Sequence, residues 1–447
     1  MSLSSCGSVV RFVFSGFTAA FCRFLISPCL FLSALVYYTA ARICLMEESS
    51  KLRYSVFSYF WIFLNFSGLH VPKGVPNAGS GKKAVCILRQ LTAVLLMLAL
   101  FYKAAFRFFE FKQMRGFSYE WTLLLIKLSL TVHGFVSSVA LFVWDRRGLL
   151  KAFLKDVSTC SEHKTISVAS VVSLRSYQKM ISIVVAITML SEIFSVVSAV
   201  LGEDRSKADS VYRPLFFLKA LYPLEVLLDF YSLFVSTTAV GLYYLITSLM
   251  YIEFEQFNKE LQLAAKRRRL LEENVFQSFS NRHFDQITTI RLVNTHVGIF
   301  VTTSAICGFV THFISMFVIT NFSGVANWSE LVTCALRFFV GTGLALIPMR
   351  RASMLITQVH ESVQILIFEK SIAEAGGGTD TVDMTDYYTK RIIDRVTNGD
   401  YYVRILRAFN LTSSLTSVIY FIAFILGMGL NTFGPVFTGL KHSNSTG

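Results

Sequence analysis

Charged residues are scarce in this sequence. Only 16% of the 447 residues are Asp, Glu, Lys or Arg, whereas 53% are hydrophobic and 42 are Phe. This composition leaves too little polar surface to cover a soluble globule of this length. The sequence therefore predicts a membrane protein.

Motifs that carry enzyme chemistry are also missing. The sequence has no H-E-x-x-H pair, no G-x-x-x-x-G-K-[ST] phosphate loop and no G-x-S-x-G elbow. Residues 375–386, "AGGGTDTVDMTD", follow no strand pattern and indicate a flexible inner loop. The eight Cys residues are scattered and imply no disulfide framework. We expect no enzyme activity, no metal site and no cofactor.

Long apolar runs dominate what is present. A helix of about 20 apolar residues crosses about 30 Å of hydrocarbon. Continuous runs, rather than alternating strands, exclude a transmembrane β-barrel and predict an all-α bundle. The seven predicted spans are 84–106, 121–144, 180–201, 226–250, 297–320, 331–349 and 408–430.

The N-terminal segment, residues 1–83, is predicted to be cytoplasmic or interfacial. Residues 22–46 are long enough to span, but Pro28 interrupts them, and Arg23 and Arg42 flank the apolar part. A first span at 22–46 remains open as an alternative.

Basic residues set the orientation. Lys and Arg are concentrated in the segments that follow the second, fourth and sixth spans, such as Lys266 to Arg269. The positive-inside rule then places the N-terminus in the cytoplasm and residues 431–447 outside, as a short extracellular tail. The glycosylation candidates Asn321, Asn327 and Asn444 fall outside under this topology. The net charge of +14 largely reflects the inner loops, so it requires no nucleic-acid partner.

Ionisable residues inside the spans are the first candidate site. A charge in hydrocarbon costs about 2.5 kcal/mol or more unless it faces a cavity or a partner. At about 1.5 Å per residue, Lys127, Glu192, His312 and Arg337 come to a common depth of about 9 to 14 Å below the outer surface, with Asp229 near the same level and Glu225 one turn before it. Three interpretations stay open: a ligand pocket that opens outward, buried ion pairs, such as Glu192 or Asp229 with Arg337, that only fix packing, and scattered side chains that snorkel at the lipid edge. The candidates are Lys127, Glu192, Glu225, Asp229, His312 and Arg337.

The last span carries a family resemblance. The arthropod and nematode gustatory receptors have Thr-Tyr, five apolar residues and Gln-Phe in their last helix. Here the corresponding residues are Thr416, Ser417, "VIYFI", Ala423 and Phe424, so the first and last positions match while Ser417 and Ala423 differ. With "FLNFSGLHVP" ahead of the first span and seven inverted helices, the chain resembles a divergent member of this family.

The resemblance implies a ligand-gated, non-selective cation channel of the plasma membrane that responds to a small-molecule tastant. It further implies a homotetramer, or a hetero-oligomer with related receptors, whose last helices line a central pore. In that case Gly427 and Gly429 allow close helix approach or bending. The alternative is that Thr416 and Ser417 hydrogen-bond back to helix carbonyls. The pore-lining candidates are Thr416, Ser417, Tyr420, Phe421 and Phe424.

A G-protein-coupled receptor is the main rival. If residues 22–46 were a first span, "WDRR" at 144–147 would end a third helix, where that class carries an Asp-Arg-Tyr-like motif. That assignment leaves 408–430 as an eighth span, and 331–349 contains no Asn-Pro-x-x-Tyr.

Two further alternatives stay open. A secondary transporter would show an internal repeat or paired broken helices, and neither is visible. A light- or peroxide-sensing member of the same family would have the same architecture as a taste receptor. Residues 253–295 are expected to extend two spans as helices into the cytoplasm.

Overall fold

The computed structural model is mainly helical over the residues that it describes. All described residues belong to one compact unit, Leu64–Gly447. The described residues are 67, 69, 80–113, 118–150, 152–153, 155–156, 184–185, 188–190, 192–194, 222–324, 326–368, 379–399, 401–405 and 409–438.

Seven helices and one small hairpin are bounded within these residues. The helices are α1 (Ser80–Gln113), α2 (Tyr119–Arg147), α3 (Tyr222–Lys266), α4 (Glu273–Asn321), α5 (Trp328–Phe368), α6 (Thr379–Thr397) and α7 (Ser413–Thr438). Between α6 and α7, β1 (Arg404–Ile405) pairs antiparallel with β2 (Phe409–Asn410). The predicted all-helical class is confirmed for the described residues.

Five of the helices are long and apolar enough to cross a membrane. They are Gln90–Lys112, Tyr119–Arg147, Leu224–Lys266, Glu273–Asn321 and Trp328–Ile367. These helices overlap five of the predicted spans. A shorter apolar helix, Ser414–Gly429, lies within α7. Of the predicted span 180–201, the described residues 184–185, 188–190 and 192–194 are helical. Residues 22–46 and Asn444 lie outside the described residues.

The predicted start of the last span at residue 408 is wrong. Phe409–Asn410 form strand β2, the amide of Leu411 donates to the Val403 carbonyl at 2.8 Å, and α7 begins at Ser413. The Thr412 hydroxyl accepts from the amide of Leu415 at 3.2 Å and thereby caps the helix. Hairpin pairing therefore uses the backbone groups that a longer helix would have needed.

A buried tyrosine anchors this hairpin. Tyr401 is fully buried, its phenol donates to the Val396 carbonyl at 2.9 Å, and Asn294 of α4 donates to its carbonyl. Burial raises the pKa of the Tyr401 phenol, so the hydroxyl keeps the proton that it donates. The hairpin thus ties the start of α7 to α4.

Helices α3, α4 and α5 continue far past the length that a bilayer requires. They have 45, 49 and 41 residues. Beyond the predicted spans they share a core with α6 that includes Phe257, Leu261, Phe276 and Ile392. The helical extension predicted for 253–295 is present, interrupted only at the turn that joins α3 and α4.

Helices α4 and α5 touch backbone to backbone. A Cβ atom added at Gly308 would lie 2.5 Å from the amide nitrogen of Ala345, and one added at Gly341 would lie 2.6 Å from that of His312. The Ser304 hydroxyl also donates across the contact to the Leu344 carbonyl at 2.7 Å. Small residues at the crossing allow this approach, as is common between membrane helices.

The crossing yields a prediction for Gly341→Ala. The new methyl group would meet backbone atoms that cannot rotate away, so we expect a loss of about 1 to 3 kcal/mol of stability. The expected result is a melting temperature several degrees lower in detergent, measured by fluorescence-detected size exclusion.

Gly343→Ala is the matched control on the same helix. A Cβ atom there meets only Ile347 Cδ1, at 3.7 Å. Because Ala favours helix over Gly by about 1 kcal/mol, this variant should melt at or above the native temperature. Equal melting temperatures for the two variants would contradict the backbone contact between α4 and α5 at Gly341.

Candidate functional site

A buried ionic network joins α1 to α3. Lys103 and Arg107 are each 1% exposed. Lys103 Nζ lies 2.5 Å from Asp229 Oδ1. Arg107 forms ion pairs with Glu110, at 2.7 Å, and with Glu225. Lys103 and Arg107 are four residues apart on α1, and Glu225 and Asp229 are four apart on α3. Each pair therefore lies on one face of its helix, and the two faces meet. Pairing offsets the cost of removing these charges from water.

Sequence reasoning missed Lys103, Arg107 and Glu110. The apolar run appeared to end at residue 106, whereas α1 continues to Gln113. The available signal was the matching spacing, since Lys103 and Arg107 are four residues apart, as are Glu225 and Asp229. Asp229 therefore pairs with Lys103 rather than with Arg337.

Further charged side chains surround the same acidic group. Asp229 interacts electrostatically with Lys127 of α2 as well as with Lys103 and Arg107 of α1. Glu192 interacts with Arg337 of α5, with Asp229 and with Lys127. Charged side chains of α1, α2, α3, α5 and the helical residues 192–194 therefore lie close to one another. The structure brings together these five sequence candidates: Lys127, Glu192, Glu225, Asp229 and Arg337.

Part of the network is exposed. The side chain of Asp229 remains 27% exposed, although charges from α1, α2 and the helical residues 192–194 surround it. Glu192 and Lys127 are also partly exposed. We call the group formed by Glu192, Asp229 and Arg337 the polar recess. Among the described residues, no group of three or more His, Cys, Asp or Glu side chains is placed to hold a metal ion.

His312 lies in a different set of contacts. Its Nδ1 is 2.8 Å from the Thr342 hydroxyl, and its ring stacks on Phe338 at a centroid distance of 4.3 Å. Phe313 packs edge-on against it at 5.1 Å. These contacts belong to the α4–α5 crossing, so His312 joins the two helices there.

The pore candidates divide between two sides of α7. Thr416 is only 4% exposed, and its hydroxyl donates to the Thr412 carbonyl at 2.8 Å, as the alternative of bonding back to the helix predicted. Tyr420 is half-buried, and the side chain of Phe424 lies outside what the structure describes. Ser417 is exposed, and Phe421 is 64% exposed.

An exposed apolar face follows Phe421 along α7. Its other large members are Val418, Ile422, Ile425 and Met428. The opposite side contacts α4, because a Cβ atom added at Gly427 would lie 3.2 Å from two ring carbons of Phe313. A Cβ atom at Gly429 would meet nothing within 4 Å. Gly427 therefore allows the predicted close approach of helices, here to α4 of the same chain.

Two glycosylation candidates flank the α4–α5 connection. Asn321 ends α4, and its side-chain amide donates to the Phe317 carbonyl at 3.2 Å. Asn327 is exposed immediately before α5. Both acceptor sites therefore lie at the end of the crossing where α4 stops and α5 begins.

The fold is shared with an insect olfactory receptor. OR5 from Machilis hrabei superposes with a TM-score of 0.61 at 10% identity, covering 84% of this chain and 97% of that one. Its complex with eugenol gives a TM-score of 0.61 at 11% identity, covering 86% and 100%. At these identities the likeness concerns the fold alone. No match emerged from a comparison with curated proteins.

The sequence itself matches one protein family. The profile described as "Caenorhabditis protein of unknown function, DUF267" aligns with residues 56–427. That range contains every helix from α1 to α6 and most of α7. The chain therefore belongs to the DUF267 family of Caenorhabditis proteins.

Proposed function

We propose that this chain is a chemosensory receptor of the gustatory type that acts as a ligand-gated, non-selective cation channel in the plasma membrane. The observation that carries the proposal is the polar recess, a charged and partly open site within the fold of an insect olfactory receptor. The shared fold favours this proposal over a G-protein-coupled receptor or a transporter.

The polar recess is the ligand site in this proposal. Charged side chains within a membrane span are costly unless they face a cavity or each other, and here they interact with each other. The solved complex of OR5 with eugenol supports a small organic molecule as the kind of ligand that this fold holds. Lys127, Glu192, Asp229 and Arg337 are the proposed contacts. Lys103 holds Asp229 in place through their ion pair and also donates to the backbone carbonyl of Glu225 at 3.2 Å.

The exposed face of α7 lines the pore, in an assembly of four copies or of this chain with related receptors. Ser417 supplies a polar position near the inner end, and Phe421 and Ile425 follow along the same face. Apolar side chains at a narrow point close a pore by excluding water. Thr416 faces its own subunit and contributes to packing.

Contacts between helices connect the two sites. Arg337 lies one turn before Gly341, where α5 touches α4. On α4, Phe313 contacts both His312 and Gly427 of α7. A ligand that shifts α5 at Arg337 therefore moves α4 and, through Phe313, the pore helix. Backbone contact at Gly308 and Gly341 makes α4 and α5 move together.

The proposed topology has a cytoplasmic N-terminal segment, residues 1–83, and an extracellular C-terminus. An epitope tag placed after Gly447 should be stained by antibody on intact cells. A tag before Met1 should be stained only after permeabilisation. The reverse pattern would favour the orientation of a G-protein-coupled receptor and contradict the channel.

Cysteine accessibility tests the pore assignment of α7. We expect a charged methanethiosulfonate reagent, applied during activation, to block most of the current through Ser417→Cys and Phe421→Cys. Those side chains lie on the exposed face, where a modified thiol would project into the ion path.

Thr416→Cys is the adjacent control, because that side chain is buried within the subunit. Its current should resemble that of the unsubstituted chain under the same reagent. Block at none of the three positions, or equal block at all of them, would show that α7 serves packing alone.

A further inference from the structure

The connection between α3 and α4 carries adjacent blocks of opposite charge. Lys266 is the last residue of α3, and two exposed glutamates, Glu272 and Glu273, precede or begin α4. The basic block has four exposed side chains, those of Lys266, Arg267, Arg268 and Arg269. Arg269 Nε lies 3.7 Å from Glu272 Oε1, and both side chains are more than half exposed. We call Lys266–Arg269 together with Glu272 and Glu273 the charged turn.

The backbone of the charged turn is held in place. Leu270 is 1% exposed and packs in the core that α3, α4 and α6 share. The amide of Arg268 donates to the Ala265 carbonyl at 2.9 Å, and the amide of Glu272 donates to the Arg269 carbonyl at 3.1 Å. A backbone that is already ordered loses less conformational entropy on binding. The turn is therefore preorganised to present its charges to a partner.

Arg268 has a backbone conformation that favours glycine. Its φ is 58° and its ψ is 16°, and within the part of the chain that the structure describes it is the one non-glycine residue with positive φ. This conformation costs stability for any residue with a Cβ atom, and glycine is common at this position after a helix. The protein carries a basic side chain there at a cost to its own stability, which indicates a role for the charge beyond folding.

Distance separates the charged turn from the lipid headgroups. Lys266 lies about 16 residues past residue 250, the predicted inner end of its span, which is about 24 Å along the helix. A helix tilt of about 40° would still leave about 18 Å. Salt screens the attraction between exposed charges over about 8 Å at physiological ionic strength. The surface of an anionic membrane is therefore a poor partner for this turn.

We propose that the charged turn docks a soluble protein through a segment in which a block of carboxylates is followed by basic residues. The carboxylates pair with Lys266 to Arg269, because a guanidinium presents a planar fork that suits a carboxylate. The basic residues that follow pair with Glu272 and Glu273. The partner is cytoplasmic in the proposed topology. The docking site is separate from the polar recess and from the proposed pore.

The order of the charges favours a protein segment over a nucleic acid. A phosphate backbone is negative along its whole length, so it would be repelled at Glu272 and Glu273. Residues 262–275 also contain no aromatic side chain on which a base could stack. A protein segment can change its charge from one residue to the next and can therefore match both blocks of the turn.

The test is peptide binding to the full chain in phosphatidylcholine nanodiscs, measured by fluorescence anisotropy. The block peptide has a run of glutamates followed by two lysines, and the mixed peptide has the same residues with the lysines in the middle of the run. We expect saturable binding of the block peptide. Its affinity should be about fivefold higher than that of the mixed peptide, because two more surface charge pairs form.

Arg268→Gly separates binding from folding. Glycine removes one charge and also relieves the left-handed backbone, so the variant should melt at or above the native temperature while it binds the block peptide about threefold more weakly. Lys259→Gln is the control on α3, where Lys259 is exposed and pairs with Glu255 of the same helix. That variant should keep the native affinity for the block peptide.

Glu272→Gln combined with Glu273→Gln tests the acidic block. The double variant should bind the two peptides equally, because the lysines no longer have a partner at a defined end of the turn. This result is a ratio between two peptides, so a general loss of stability does not mimic it. If the double variant does not fold, the comparison of the two peptides on the native chain decides.

Several results would overturn the docking site. They are failure of the block peptide to bind, equal binding of the two peptides to the native chain, and native affinity in the Arg268→Gly variant. Tighter binding of phosphatidylserine vesicles or of oligouridine than of the block peptide would assign the turn to a membrane or to RNA instead. None of these measurements depends on an ion current, so the docking site and the proposed channel can each fail while the other stands.

Discussion

The ion pairing of α1 with α3 is the constraint on which the rest of the site depends. Lys103 and Arg107 are almost fully enclosed, and a charge at that depth is tolerated only beside an opposite charge. Because Glu225 and Asp229 supply those charges, the register of α1 on α3 is set to within a turn. Asp229 is thereby held in place while its side chain stays 27% exposed. The position of the polar recess therefore depends on the ion pairs that Lys103 and Arg107 form with Asp229 and Glu225.

A second constraint lies at the α4–α5 crossing. Charge pairing positions the recess, whereas backbone contact at Gly308 and Gly341 limits how α5 can move when the recess is occupied. The hairpin before α7 is tied to α4 through Asn294 and Tyr401. Phe313 of the same helix contacts Gly427 near the other end of α7. Helix α4 therefore holds the proposed pore helix at two places and is the natural carrier of motion between the sites.

Long apolar runs predict the five helices that are long and apolar enough to cross a membrane. They do not predict α6, whose first residues, 379–386, lie in the stretch expected to be a flexible loop. The depth estimate from helical rise grouped Glu192, Asp229 and Arg337, which the structure brings together. The same arithmetic also grouped His312, which instead hydrogen-bonds to Thr342, since depth says nothing about the direction of a side chain around its helix. The direction of a side chain around its helix becomes known only when the packing of the helices is known.

Other features could not be predicted for specific reasons. Hydropathy treats a charge as the end of a span, so Arg107 and Glu110 were placed beyond the end of the first span, and Lys103, inside it, was not singled out. The sequence pattern did not distinguish residues 409–411 from a helix start, and only hydrogen bonding shows that they belong to a hairpin. The side of α7 on which Thr416 lies depends on its neighbours in space, and the sequence pattern alone allowed either side.

Single-channel recording from the purified chain in a planar bilayer tests the central claim most directly. A mixture of tastants, odorants and amino acids would be added to the extracellular side, with sodium on one side and potassium on the other. The account predicts unitary current steps whose frequency rises with the mixture and whose reversal potential lies near zero, because a non-selective cation pore passes both ions. Saturable ion or solute flux without unitary steps would contradict it.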